Sequence, residues 1–214
     1  MAAAQPHTFS GQDFALQRDK NRFVLPSQFR KALKARNQDS AATMLLMKHN
    51  VYECLIGFAD DHIARLNAQI DREEELASRS GRDFDRFKRS VEVHAYVSVP
   101  FDGSGRFVLP DRLSKLAKVD GQVFFNGAGD FFTMWARDEV GKLDDSWANI
   151  KDACESLAEQ ELAKAGAKAE AGAGGDRVPA GRRRQVGRES RPRPADDPLW
   201  RHGAGRKRLA RTQL

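Results

Sequence analysis

Arg22 and Arg106 open two identical pentapeptides, Arg-Phe-Val-Leu-Pro, placed 84 residues apart. A guanidinium is planar, permanently charged and carries a fork of N–H donors. It can clamp a phosphate, or bond guanine O6 and N7 together, in a way that lysine cannot imitate. It can equally pair with a neighbouring carboxylate and only fix a loop. The residues alone leave both roles open. Arg18, Lys20, Arg30, Lys31, Lys34 and Arg36 accompany Arg22, whereas Arg112, Lys115 and Lys118 follow Arg106. The first stretch is the denser in cations, which makes Arg22 the stronger expected contact.

The elements that position these arginines repeat with them. Phe-Val-Leu suits a buried strand, and the proline that follows lacks the N–H of a ladder but fits the first turn of a helix. Beyond it, Phe29 and Leu33 align with Leu113 and Ala117, and Leu116 joins the second set, giving each copy a short helix with one apolar stripe. Upstream, Asp19-Lys20-Asn21 and Asp102-Gly103-Ser104-Gly105 are turn residues, with Asn and Gly tolerant of positive φ. The repeated unit is therefore turn, arginine, strand, proline, helix, and the chain is an internal duplication.

Asp102-Gly103-Ser104-Gly105-Arg106-Phe107-Val108-Leu109-Pro110 resembles the repeated motif of the MraZ family of bacterial transcriptional regulators: D-x-x-G-R, an apolar pair, a proline and a helix. Phe9-Ser10-Gly11, Tyr52-Glu53-Cys54-Leu55 and Phe131-Phe132-Thr133-Met134-Trp135 extend the resemblance over about residues 7–160. The first copy departs from the motif, with Arg18 in the place of the aspartate and Asn21 in that of the glycine. Arg18 removes an acceptor for orienting Arg22. The resemblance implies a duplicated SpoVT/AbrB-type swapped-hairpin β-barrel of α+β class. It further implies a cytoplasmic, nucleoid-associated regulator that represses the division and cell-wall gene cluster, its own promoter included. Its implied partners are double-stranded promoter DNA, met at direct-repeat boxes, and further copies of itself in a ring. Arg18, Lys20, Arg22, Arg30 and Arg106 are the expected DNA contacts. Two other classes stay open: an antitoxin-like module with a protein partner, and a structural oligomer whose arginines are only ion-paired.

Composition is compatible with that expectation. At 214 residues and 40% hydrophobic content, the chain can bury one good core or two small ones, and half of it alone is near the lower limit for folding. The halves are therefore expected to share a barrel. The net charge of +6 is unevenly placed: eleven Arg and one Lys face four carboxylates from Asp176 to Leu214, an excess of +8 that leaves −2 for residues 1–175. That Arg-, Gly- and Pro-rich tail has too little apolar content to offset ordering entropy, so residues 165–214 are expected to be disordered. It either adds unspecific phosphate attraction or touches nothing. No run of eighteen apolar residues and no signal-peptide pattern is present, which points to the cytoplasm. Cys54 and Cys154 fall in apolar stretches and read as buried, reduced thiols.

Between the copies, strands are expected at Thr43–Met47 and Val51–Phe58 around His49-Asn50. Asp60-Asp61 suit a helix start, with Ile63, Leu66 and Ile70 as its stripe; Gly81 breaks it, and Phe84, Phe87 and Val91 resume it. Glu73-Glu74-Glu75 read as a solvated face that could repel DNA. A strand at Val93–Val99 and a hairpin of Gln122–Asn126 with Phe131–Trp135 follow. Val140, Leu143, Trp147, Ile150, Cys154 and Leu157 then form an a/d seam, packed either on the helices of residues 63–91 or on another subunit. The expected divisions are a first half at 7–58, a helical hairpin at 59–91, a second half at 92–138, a C-terminal helix at 139–164 and the tail. Gly127-Ala128-Gly129 lacks the third glycine of a nucleotide cradle and reads as a β-turn. The five histidines are scattered and no triad signature is present. The expectation is a non-enzyme with no catalytic residue, cofactor, metal, small-molecule substrate or membrane partner.

Overall fold

A three-residue strand cannot stand alone, and each Arg-Phe-Val finds its partner in the other copy. In the computed structural model, which describes residues 7–173, β2 (Arg22–Val24) runs antiparallel to β6 (Arg106–Val108). Arg22 lies opposite Val108, Phe23 opposite Phe107 and Val24 opposite Arg106. The register is symmetric about the two phenylalanines, whose buried rings lie 6.1 Å apart. Leu25 N–H donates to Gly105 O at 2.8 Å and Leu109 N–H to Asn21 O at 2.9 Å, so the same bond is made twice at positions 84 apart.

Pro26 and Pro110 cap α1 (Ser27–Arg36) and α4 (Asp111–Leu116), where a missing N–H removes no helical bond. Phe29, Ala32 and Leu33 of α1 and Leu113 of α4, followed by Ala117, are buried beneath the ribbon. Leu116, expected in that stripe, is 40% exposed, because the short helix ends before its register returns to the core.

The remaining strands form an antiparallel six-stranded sheet in the order β1-β7-β8-β4-β3-β5. These are β1 (Gln12–Leu16), β3 (Thr43–Lys48), β4 (Cys54–Phe58), β5 (Val97–Pro100), β7 (Gln122–Gly127) and β8 (Phe132–Ala136). Alternating side chains serve opposite faces. Met44, Leu46, Leu55, Val123, Phe125, Phe132 and Met134 meet the ribbon, α1 and α4 in the main core. Cys54, Phe124 and Trp135 point the other way, into a cluster with α6 (Ala148–Ala173). Leu45, Met47 and Phe58 meet α2 (Ile63–Arg79), whose Leu66 and Ile70 supply the stripe, and Val93 of α3 (Arg86–Val93).

The architecture is mixed α+β, but the expected barrel is not closed. β1 and β5 are the two edges, and the ribbon meets their continuations only through single bridges, Arg18 with Arg22 and Phe101 with Phe107. Turn residues occupy the positions where longer ladders would have formed. Other expectations shift locally. β4 begins at Cys54 rather than Val51, because His49 Nδ1 accepts the N–H groups of Val51 and Tyr52 at 3.0 Å each and holds those residues in a turn. Val93 ends α3 instead of opening β5.

Gly81 does separate α2 from α3, at φ +64°. On α3, however, Arg86, Arg89 and Val93 form the face toward α2. Arg86 pairs with Asp71 and Glu74, and Arg89 grips Glu73 through bonds of 2.6 and 2.8 Å. Phe87 and Val91 are therefore turned outward, 80% and 57% exposed, and only Phe84 of the expected stripe packs inward. The Glu73-Glu74-Glu75 run is consequently no free acidic face: Glu75 pairs with Arg79, and all three carboxylates have an arginine.

The C-terminal segment breaks into α5 (Arg137–Gly141), a 3-10 turn at Asp145–Trp147 whose Asp144 side chain accepts from Ser146 N–H, and α6. Its apolar seam survives the break, but packs on β1, β7 and β8 and not on α2 and α3. Cys54 and Cys154 share that cluster as buried free thiols, and burial pushes them up to about 12 and about 11. α6 extends to Ala173, into the stretch expected to be disordered; residues 174–214 lie outside the described residues.

Gly57 shows how tightly β4 and β8 are packed. It pairs with Phe132, and an added Cβ would stand 2.2 Å from the tip of that buried ring. Gly57→Ala is expected to lower stability by about 1–3 kcal/mol through overpacking, read as a lower urea midpoint with an unchanged m value.

Candidate nucleic-acid interface

The side-chain period of two sends Phe23 and Phe107 inward and leaves Arg22, Val24, Arg106 and Val108 on the outer face of the ribbon. Arg22 and Arg106 therefore share one face, diagonal to each other, at a Cα separation of roughly 7–8 Å set by ladder geometry. Both are exposed. Among the described residues no carboxylate lies within ion-pair reach of Arg22, and Arg106 has only Asp102, 4.0 Å away at the limit of contact.

Because the strands are antiparallel, the two turns sit at opposite ends of the ribbon. The Asp102-to-Gly105 turn is organised by its aspartate. Asp102 Oδ1 accepts from Ser104 N–H at 2.8 Å and Arg106 N–H at 2.9 Å, Asp102 O accepts from Gly105 N–H, and Gly105 takes φ +83°. The Arg106 N–H bond, more than the nearby guanidinium charge, holds the Asp102 carboxyl below the usual carboxylate range. A side chain at Gly105 is excluded twice, since its Cβ would lie 2.4 Å from Arg30 Cδ and 2.9 Å from Leu25 O.

The first turn has no such carboxylate. Arg18 N–H still bonds Arg22 O at 2.7 Å, as Asp102 N–H bonds Arg106 O, but Arg22 N–H now turns to Asp19 O at 3.2 Å. Both central residues take positive φ, Lys20 at +53° and Asn21 at +56°. Asn21 adopts that region readily; for Lys20 it is strained.

Each turn is also held by the helix of the other copy. Arg30 of α1 donates through Nη1 to Gly103 O at 2.8 Å, and Asn21 Nδ2 donates to Asp111 of α4 at 2.6 Å.

No family model matches the chain. Among individual proteins, it is 31% identical to the transcriptional regulator MraZ of Phocaeicola vulgatus over 138 residues, which cover 63% of this chain and 82% of that one. The chain belongs to the MraZ family. The transcriptional regulators MraZ of Lactiplantibacillus plantarum, 26% identical over 64% of this chain and 89% of theirs, and of Pseudomonas syringae pv. syringae, 29% over 59% and 79%, are also similar to it.

In this MraZ relative, the basic residues that stand together in the sequence do not all stand together in space. Arg18, Lys20 and Arg22 are exposed at the first end of the ribbon. Arg106 occupies the other end, next to Arg30, which is partly buried and serves the second turn although it comes from the first copy. Arg36 leaves the surface altogether: its side chain is 8% exposed, its Nε bonds both oxygens of Asp61, and its guanidinium stacks over Phe9. Lys118 is drawn towards Glu53 and the buried Glu139. Val108 and Asp111 carried no sequence signal as members of this surface, because only the β2–β6 register brings them to Arg22 and Asn21.

Relieving Lys20 of its left-handed conformation tests the first turn. Lys20→Gly is expected to raise unfolding stability by about 1 kcal/mol, and Lys20→Ala to leave it unchanged, as measured by urea denaturation.

Proposed function

We propose that this chain regulates transcription by binding double-stranded promoter DNA with the outer face of the β2–β6 ribbon. The observation that carries the reading is that two arginines 84 residues apart share one exposed face. A two-stranded ribbon fits the major groove, where guanidinium groups bond guanine edges. Arg18 and Lys20 at one end of the ribbon suit phosphate contacts, which fix orientation without reading sequence. Arg30 reaches DNA less directly than its neighbours, since one of its nitrogens is engaged by Gly103 O.

Each half is a swapped-hairpin unit of SpoVT/AbrB type. The reciprocal ribbon and the matched Leu25 and Leu109 bonds support this assignment. One ribbon makes few phosphate contacts, so tight binding requires several copies. Subunits arranged head to tail in a ring present their ribbons in one sense and favour direct-repeat boxes about one helical turn apart, roughly 10 base pairs. Repression of the chain's own promoter within the division and cell-wall gene cluster, and a cytoplasmic, nucleoid-associated location, rest on the family resemblance. Among the described residues no helix is long and apolar enough to cross a membrane.

Arg22→Ala and Arg106→Ala are each expected to weaken binding to DNA from upstream of the gene by about 1–3 kcal/mol, with oligomer size and melting temperature preserved. The larger loss belongs to Arg22, which has no competing carboxylate among the described residues. Fluorescence anisotropy paired with thermal melts measures this. A lowered melt with unaltered affinity would mean that the arginines only hold the fold.

A further inference from the structure

The outer face of the ribbon is half cation and half hydrocarbon. Val108 is 51% exposed and lies directly across from Arg22. Val24, its counterpart across from Arg106, is partly buried and lines a groove with β1, α1 and α6. Two strands identical in sequence thus present unequal surfaces: one Arg–Val pair is open, and the other has its valine partly covered.

A branched apolar side chain beside Arg22 on a cationic face has no use against phosphates, which offer only charged oxygens. On the major-groove edge of DNA the one apolar group is the 5-methyl of thymine. Cross-strand neighbours on a ribbon have Cβ atoms about 4.5–5.5 Å apart, and base pairs rise about 3.4 Å. Arg22 and Val108 are therefore spaced to address adjacent base pairs.

We infer that Val108 is a sequence-reading residue, packing on a thymine methyl one base pair from the position contacted by Arg22. This rests on the DNA-binding reading above. It adds that the two motif copies read differently: the first end of the ribbon recognises a guanidinium-bonded base together with a neighbouring methyl, and Val24, held in its groove, makes no matching contact.

The test uses the full chain and duplex DNA from upstream of its own gene, with thymines replaced one at a time by deoxyuracil, which deletes only the methyl. The unaltered protein should lose about fourfold in affinity at one thymine per box, the equivalent of one buried methyl. Val108→Ala should show the same loss on the parent DNA and be indifferent to that replacement, whereas Val24→Ala should keep the thymine profile of the unaltered protein. Melts and light scattering accompany both variants. Binding that no deoxyuracil weakens, or a Val108→Ala protein that keeps its thymine sensitivity, overturns the inference and leaves the regulator reading intact. A Val108→Ala protein of altered oligomer size that weakens equally on every duplex marks a subunit contact and also overturns it. Absence of any DNA binding by the unaltered protein overturns both.

Discussion

The pairing of β2 with β6 is the contact on which the remaining surface depends. Three residues make a poor strand, yet the register centred on Phe23 and Phe107 satisfies both copies at once and buries both rings. Leu25 and Leu109 then bond back to the opposite turn, and their side chains enter the main core. Shifting either strand by one residue would send its phenylalanine to solvent and its arginine into the core, a double penalty that fixes the register firmly. The placement of Arg22 and Arg106 on one face follows from this pairing.

Around that shared centre, the two turns reach similar backbone paths by different chemistry. Asp102 collects two N–H groups on one carboxylate oxygen and needs only Gly105 at positive φ. With Arg18 in the corresponding place, the first turn closes through a backbone carbonyl and holds Lys20 and Asn21 in the left-handed region. The exchange removes a fixed negative charge from beside Arg22 and leaves a cation in its place. A tighter backbone is traded for a more electropositive surface, and an arginine beside a carboxylate for one with no carboxylate partner among the described residues.

Much of this was legible in the residues. The turn-strand-proline-helix unit, the helical hairpin broken at Gly81 and the β7–β8 hairpin follow from periodicity and turn chemistry that act over a few residues. What the sequence hid was relational. Nothing in Phe-Val-Leu says that its partner is its own repeat, so the company of Arg22 with Val108, and of Arg30 with Gly103, could not be read from neighbours along the chain. The exposed arginines looked like one cluster per half, but Arg36 found Asp61 and Phe9. On α3 the expected apolar stripe lost to salt bridges with α2, because a helix of eight residues has room for one anchoring face. The C-terminal seam kept its spacing through a segment that is not continuously helical, since a 3-10 turn advances the chain without changing which side it presents.

The cross-gripping of the turns also bears on how the molecule comes into being. Leu16 waits for Gln122, Arg22 for Val108 and Asn21 for Asp111, so the strand partners of β1 and β2 are supplied by chain made much later. Pairings of such sequence separation raise contact order and slow folding, because loop closure must precede any gain from contact. During synthesis the first portion emerges with the edges of β1 and β2 open, the condition in which strands recruit the wrong neighbour. An identical Arg-Phe-Val from a second nascent chain is such a neighbour, indistinguishable from the correct one by its strand residues. β2 and β6 are joined by one chain, and the effective concentration that this tether gives, long as it is, favours self-pairing over exchange between dilute molecules.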